Sequence, residues 1–440
     1  MISKTENEEL YIKKRISQVL AQSEVPIDFT EGLFSSDHAN SCAQNSDCNR
    51  KDLTEVKCLT IDSAYAKELD DAVSLSVRED GYVLGVHIAD VSAYVLQGSQ
   101  LDQSATERGT TIYFPGYSVP MFPPEISHNL CSLTPDTDKR AVSVMIRYDL
   151  EGNLLSYEVC RSWIRSRVRG VYTEVEEVLE GTADERIRDK YEPVIDTIMN
   201  MSKLADLLCN KRSLDGADVS SRCDYKYRFN EGKLVLSITG NTAADRMICE
   251  FMVAANTCIS DFFEKNDLPG FYRTQKVTGI SARYSTSPKS HESLAVYKGY
   301  MRFTSPIRRA TDYLIHQVLT SYLSGVTSEE LMAKHLESFM TYCGKAQGLE
   351  DRARNLERQI VKECHLLYFA RQKDDTFIGV IIGKNRRTED SVIAIQPYGI
   401  RIFGSSMLSK FVGQEFLVSV KVDTGENCLR VGHISRITAA

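Results

Sequence analysis

Four carboxylates fall within the ten residues from Asp62 to Asp71, in the segment Thr60-Ile-Asp62-Ser-Ala-Tyr-Ala-Lys-Glu68-Leu-Asp70-Asp71. Asp62 ends a β-like run, so the residues after it can loop back and carry all four acids toward one point. Like charges that close repel strongly unless cations compensate them. An all-oxygen donor set suits Mg²⁺ or Mn²⁺, and paired ions of this kind activate water and stabilise the leaving oxygen in phosphodiester cleavage. The segment taken alone also fits a solvated acidic loop; it does not fit the EF-hand spacing.

Two further segments carry groups suited to a nucleic acid. In Phe303-Thr-Ser-Pro-Ile-Arg-Arg-Ala-Thr-Asp312 the pattern predicts a helix starting at Pro306 and capped by Ser305, with Ile307, Ala310, Leu314, Ile315, Val318 and Tyr322 on its apolar face. Arg308 and Arg309 then lie in the first turn, where the helix dipole disfavours cations, an arrangement that makes sense if a phosphate occupies that terminus. The local alternative is an i,i+4 ion pair between Arg308 and Asp312. Between Arg108 and Pro124, Tyr113, Phe114 and Tyr117 stand among glycine and proline turns. Such aromatics suit either base stacking, worth roughly 1–3 kcal/mol per base, or a core. Arg161, Arg165, Arg167 and Arg169, and the stretch Lys384 to Arg387, read as solvated faces.

The elements that must position these groups divide the chain. A short amphipathic helix is expected over Glu9 to Leu20, followed by a polar, aperiodic linker from Ser35 to Asp52. Strand patterns follow at Val56–Ile61, Val73–Val77 and Tyr82–Ile88, the last two joined at Arg78-Glu-Asp-Gly81, and a hairpin pairs Val142–Tyr148 with Leu155–Ile164. Helical patterns take over at Ala183–Leu214, Ala243–Lys265, Pro306–Leu323 and Ser328–Gln372. Short strands return at Phe377–Ile382, Ser391–Gln396, Ile400–Phe403, Glu415–Val422 and Leu429–His433, a spacing that fits a small barrel of the OB type. The fold class is therefore α+β, with a C-terminal barrel.

Composition bounds the rest. The 440 residues contain 42% hydrophobic and 26% charged side chains, which is globular usage and predicts two or three domains. No uncharged apolar stretch is long enough to span a membrane, and Met1 to Glu9 does not read as a secretory signal, so a cytoplasmic location is expected. The twelve cysteines, without a Cys-x-x-Cys pair, read as reduced thiols, mostly buried. A net charge of −7 argues against overall attraction to nucleic acid but leaves room for local clefts.

Taken together, Arg50-Lys-Asp-Leu-Thr54 through Asp71, His87-Ile-Ala-Asp-Val-Ser92, Tyr113-Phe-Pro-Gly116, Asn129-Leu-Cys-Ser-Leu133, Glu250-Phe-Met-x-x-Ala-Asn256, Tyr272-Arg273, His291-x-x-Leu294 and Thr304-Ser-Pro-Ile-Arg-Arg309 closely resemble the catalytic domain of the ribonuclease II / ribonuclease R family. The resemblance covers roughly residues 50 to 370, in order. After the N-terminal helix and linker over 1–49, it implies an RNB-type catalytic domain of mixed sheet and helices over 50–373 and an OB-type RNA-binding barrel over 374–440, without the aromatic-rich strand usual there. The implied activity is processive 3′-to-5′ hydrolysis of single-stranded RNA to nucleoside 5′-monophosphates, with Mg²⁺. Asp62, Glu68, Asp70 and Asp71 would hold the metal, with Asp70 and Arg308 catalytic. Tyr113, Arg308, Arg309 and Glu357 would bind RNA, Tyr113 by stacking on the terminal base and Glu357 by packing near it.

Three departures from the family pattern stand out. Glu68 replaces the usual Asp, and the extra methylene points to Mn²⁺ as an alternative ion. The two cold-shock barrels that usually precede the catalytic domain are not expected within the first fifty residues. Gly216 to Cys223 offers Ser220 and Ser221 rather than an aromatic partner for Tyr113. A rival from another class is a catalytically weak homologue that binds RNA as a regulatory module, and a DNA nuclease is a third reading.

Overall fold

A computed structural model describes residues 7–35, 44, 47–219, 224–240, 242–276, 281–372 and 375–436. Most of the Ser35–Asp52 linker, the Ser220 and Ser221 positions, Cys42 and Cys223 lie outside the described residues. The chain opens with helix α1 (Glu8–Ala21), capped by the Asn7 side chain. A five-stranded closed barrel follows: β1 (Lys51–Asp62), β2 (Asp71–Arg78), β3 (Gly81–Ala89), then, after helix α2 (Gln100–Arg108) and the short hairpin of β4 (Ile112–Phe114) and β5 (Tyr117–Val119), β6 (Asp138–Tyr148) and β7 (Leu154–Val171). Its neighbours are antiparallel except that β1 and β7 run parallel and close the ring. Alternation supplies the interior, where Leu59, Ile61, Val73, Val86, Ile88, Val142 and Val144 are fully buried. The expected β2–β3 turn is present, and Gly81 is required there: at φ 145° a Cβ would sit 2.0 Å from the Tyr148 carbonyl oxygen.

The helices cover this barrel. The stretch expected as one helix over Ala183–Leu214 is broken into α4 (Glu185–Tyr191), a turn at Glu192–Val194 containing Pro193, and α5 (Ile195–Leu214), with α3 (Tyr172–Glu180) before them. A hairpin of β8 (Asp224–Asn230) and β9 (Lys233–Thr239), which the sequence reading missed, leads to α6 (Ala243–Lys265). After the short β10 (Tyr272–Thr274) and β11 (Arg283–Ser285) comes α7 (Ala310–Leu323), four residues later than expected.

The 44-residue helix α8 (Ser328–Arg371), with a Thr327/Glu330 capping box, ties the molecule together. Its first half buries Leu331 and Phe339 in the core around the first barrel, and its second half buries Ala353, Leu356, Ile360, Cys364 and Phe369 in another. That second core also takes Ile12, Ile16, Val19 and Leu20 of α1, residues of the β8–β9 hairpin, and a second closed barrel. This barrel consists of β12 (Thr376–Lys384), β13 (Ser391–Ile395), β14 (Ile400–Gly404), β15 (Glu415–Asp423) and β16 (Cys428–Arg436), in the order β12-β13-β14-β16-β15 with β14 and β16 parallel, consistent with an OB-fold. The class expected from the sequence, mixed sheet and helices followed by a C-terminal barrel, is the class observed.

Two readings of polar segments need correction. Residues 47–52 are more than a linker end, although Cys48, Asn49, Lys51 and Asp52 are exposed. Arg50 is fully enclosed and pairs with buried Asp90 at 2.6 Å, and Lys51 and Asp52 begin β1. The arginines of β7 are a solvated face only in part. Arg165 stays 38% exposed in a surface pair with Asp138 at 2.7 Å, whereas Arg161 is buried and Arg169 turns to the acidic loop described below. All ten described cysteines are free, and among the described residues no helix is long and apolar enough to cross a membrane.

Candidate active site

The acidic segment lies at one end of the first barrel. Asp62 is the last residue of β1 and Asp71 the first of β2, paired across the sheet with Val171 and Ile88 respectively. The connecting loop is tied down by its backbone. Arg169 donates to the carbonyls of Ala64 (3.2 Å) and Ala66 (2.6 Å), the Ser132 hydroxyl to that of Lys67 (2.9 Å), and the Leu69 and Asp70 carbonyls accept from the N–H groups of Leu133 (3.0 Å) and Ala89 (2.8 Å). Glu68, Leu69 and Asp70 are thereby held on a rigid arc rather than a floppy loop.

Across from it, Ser305 to Arg309 does not form a helix. Ala310 begins α7 with Arg309 at the N-cap, so neither the Ser305 cap nor the placement of both arginines in a first helical turn holds. The backbone has other partners. Arg308 C=O accepts from Thr111 N–H at 3.0 Å, Ala310 N–H donates to Gly109 C=O at 2.9 Å, and Ile307 N–H donates to Asp70 Oδ1 at 2.8 Å. Gly109 makes this approach possible, at φ 76° with a hypothetical Cβ only 2.6 Å from Leu349 of α8.

Arg308 Nε meets Asp70 Oδ2 at 3.1 Å and its Nη2 meets Ser305 Oγ at 2.7 Å, while 39% of the side chain stays exposed. Arg308 therefore does not pair with Asp312, as the local alternative had it. Arg309 does, at 2.9 and 2.6 Å, and is turned inward. Asp312 is fully buried and also accepts from Ser305 N–H at 3.1 Å, so Arg309 and Asp312 brace the turn that presents Arg308.

Tyr113, in β4, lies at the same place and is 46% exposed. Its hydroxyl donates to Glu68 Oε2 at 2.5 Å and its backbone N–H to Glu357 Oε1 of α8 at 3.0 Å. Phe114 and Tyr117 of the same segment stack with each other at 6.5 Å. The sequence reading passed over Tyr65, in the middle of the acidic loop. It is 72% exposed and lies under the Arg228 guanidinium of β8 at 4.9 Å. The available signal was an aromatic residue inside a charged loop; its partner, 163 residues away in the chain, left none.

Burial governs the charge state of the acids. Loss of solvent, then the neighbouring Asp70, pushes Asp62 up to about 7. Burial likewise pushes Glu68 up to about 7, against the lowering effect of the Tyr113 hydroxyl. Asp70 rises to about 6 through burial, opposed by Arg308 and the Ile307 N–H. Burial, then Asp62 and Asp70, raises Asp71 well above the usual carboxylate range. No three of the four bring oxygens within 4.8 Å of one another; the group that does so among the described residues is Asp423, Glu426 and Cys428, where both acids already hold Arg430. The expected convergence on a single point is thus incomplete, because buried like charges repel and Asp70 is engaged by Arg308. The donor set nonetheless fits a hard divalent cation. It is all carboxylate oxygen, its charge is only partly offset by Arg308, and Asp62 Oδ2 is buried with no hydrogen-bond partner.

A pH dependence follows. The raised carboxylates stay protonated in the fold at pH values where the unfolded chain has ionised, so their stabilising contribution is complete below about pH 4 and is lost as pH rises toward 7. Buried His87, His291, His335 and His365, lowered to about 4, act in the opposite sense over the same window, so the raw unfolding temperature does not isolate the cluster. The increment caused by a divalent cation does, since its ligands must be ionised. Calorimetry should show Mg²⁺ raising Tm more at pH 8 than at pH 5.5; equal increments would show that the cation binds elsewhere.

The RNB domain family matches residues 50–281 and 278–325 of this chain. Ribonuclease R of Chlamydia trachomatis is 32% identical over 430 residues, covering 85% of this chain and 58% of that protein, so the match takes in little more than half of the relative's length. Among solved structures, Mycoplasma genitalium RNase R in complex with ribose methylated single-stranded RNA superposes with a TM-score of 0.83 at 22% identity, covering 96% of this chain and 78% of that one. Yeast Ssd1, a pseudonuclease, superposes with a TM-score of 0.64 at 15% identity over 92% of this chain and 54% of that one, so the fold alone does not decide activity. On the extent of the family match and the identity to ribonuclease R, this chain belongs to the RNB domain family.

Proposed function

We propose that this chain is a metal-dependent 3′-to-5′ exoribonuclease that hydrolyses single-stranded RNA processively to nucleoside 5′-monophosphates in the cytoplasm. Residues 50–373 would carry the chemistry and 374–440 would hold RNA. The observation that carries this reading is the Arg308–Asp70 contact: a partly exposed guanidinium held at the edge of four buried or half-buried acids, by a turn that a second ion pair braces.

Asp62, Glu68, Asp70 and Asp71 would hold Mg²⁺ or Mn²⁺. Such an ion lowers the pKa of water and offsets charge on a leaving oxygen. The protein's own groups do the rest. Arg308 offers its exposed edge to the non-bridging oxygens of the scissile phosphate, where negative charge grows as water adds to phosphorus. The bond from phosphorus to the 3′ oxygen of the upstream nucleotide breaks, leaving a 3′ hydroxyl on the shortened chain and the phosphate on the released nucleotide. Asp70 keeps Arg308 aimed, and Arg309 with Asp312 keeps the turn in place. The exposed ring of Tyr113 stacks on the terminal base, with its backbone anchored by Glu357.

A 5′-labelled oligoribonucleotide incubated with the protein and Mg²⁺ should give a short end product, and EDTA should abolish it. A DNA oligomer of the same sequence should persist, since the 2′-OH distinguishes the two. Full-length RNA that is bound but not shortened would establish the weak, regulatory homologue instead.

A further inference from the structure

Glu68 is the acid that departs from the family pattern, and its carboxylate takes the shortest of the site's contacts described above, the 2.5 Å hydrogen bond from the Tyr113 hydroxyl. We infer that the Tyr113 hydroxyl is a positioning group for the metal-binding carboxylate of Glu68, so that this chain joins its terminal-base platform to its cation site through one hydrogen bond. The inference rests on the exoribonuclease reading for the roles of the two residues and adds the link between them.

Three observations support it. A glutamate has one more side-chain torsion than an aspartate, and that freedom must be frozen for the carboxylate to serve as a ligand. Here Oε2 is fixed by Tyr113, and Oε1 lies 3.5 Å from the Thr111 hydroxyl, which itself accepts from Met121 N–H at 3.1 Å. Tyr113 is also not free to follow Glu68. Its N–H is tied to Glu357 of α8 at 3.0 Å, and Thr111, two residues before it, is paired to the Arg308 backbone. The ring is therefore strung between two glutamates, and the better anchored partner, Tyr113, sets the orientation of Glu68. Finally, an aspartate here would be shorter by about 1.5 Å, and its carboxylate would fall out of hydrogen-bond range of the hydroxyl. The contact belongs to glutamate.

Hydrogen bonds that orient a metal ligand from behind typically change metal affinity about 10–100-fold when removed. The test is a double-mutant cycle on the full chain, reading Mn²⁺ affinity by calorimetry or electron paramagnetic resonance in the absence of RNA. Tyr113→Phe removes the hydroxyl and keeps the ring. It should weaken Mn²⁺ binding at least about ten-fold while leaving the length of the final RNA product unchanged. In the Glu68→Asp background the same substitution should leave Mn²⁺ affinity where it is. Tyr113→Ala should both weaken Mn²⁺ and alter the final product, since ring and hydroxyl are lost together. Equal Mn²⁺ affinity of wild type and Tyr113→Phe would overturn the inference and leave the exoribonuclease reading intact; a wild type that binds neither Mn²⁺ nor Mg²⁺ would sink both.

Discussion

Asp70→Asn should reduce RNA hydrolysis at least about 10³-fold, equivalent to ~4 kcal/mol of transition-state stabilisation, while the affinity for single-stranded RNA stays within a few-fold of wild type. Asp70 is 2% exposed and serves two donors at once, Ile307 N–H on one oxygen and Arg308 Nε on the other. Asparagine keeps the shape and one acceptor, but its amide nitrogen must face a donor, and the negative charge that a cation and Arg308 both require is gone. The turn that carries Arg308 loses one tether of several, which is why binding survives. Single-turnover rates and RNA affinity, the latter measured in EDTA, separate the two quantities. Turnover near wild type would remove Asp70 from the chemistry.

Arg308→Ala should lower kcat by about 10²–10³-fold with a much smaller change in RNA affinity. The guanidinium is proposed to act where charge develops, and a group of that kind contributes to the transition state more than to the ground state. Its removal has a second consequence. Arg308 opposes the burial that raises Asp70, so without it Asp70 moves further up and the acid limb of the pH–rate profile shifts to higher pH. Arg308→Lys should recover only part of the rate, because the three N–H groups of an ammonium radiate from one nitrogen, whereas the guanidinium meets Asp70 and Ser305 from different nitrogens and keeps an edge for a phosphate. A variant in which only KM rises, with kcat and the pH profile unmoved, would make Arg308 a tether for RNA.

The acidic segment was legible because its informative quantity is local. Four acids in ten residues after a strand-like run are visible to anyone reading the chain, and the strand places Asp62 and Asp71 at one end of a barrel. Helices such as α6 and α8 and the C-terminal strands were legible for the same reason, since hydrophobic periods of 3.6 and 2 repeat over many residues. The α4–α5 break shows where that signal weakens: apolar periodicity carried the helix straight through Pro193, although the proline itself was in view.

The Arg308 turn shows what local pattern could not decide. Ser305-Pro306 is a good helix start by composition, yet Ile307 N–H goes to Asp70 and Arg308 C=O to Thr111 N–H, partners some two hundred residues earlier in the chain. A cap satisfies one donor, whereas these long-range bonds satisfy the turn on both sides, and they set its shape. The β8–β9 hairpin, the enclosure of Arg50 by Asp90, the turning of Arg169 to the acidic loop and the pairing of Tyr65 with Arg228 were hidden for the same reason. By itself the sequence determined the fold class and singled out the acids, the arginine pair and the tyrosine proposed for the site. Only the tertiary structure decided that Arg308 faces Asp70 while Arg309 turns inward, and that Glu68 reaches the Tyr113 hydroxyl, because side-chain type is written locally and the partner that orients it is supplied by chain closure.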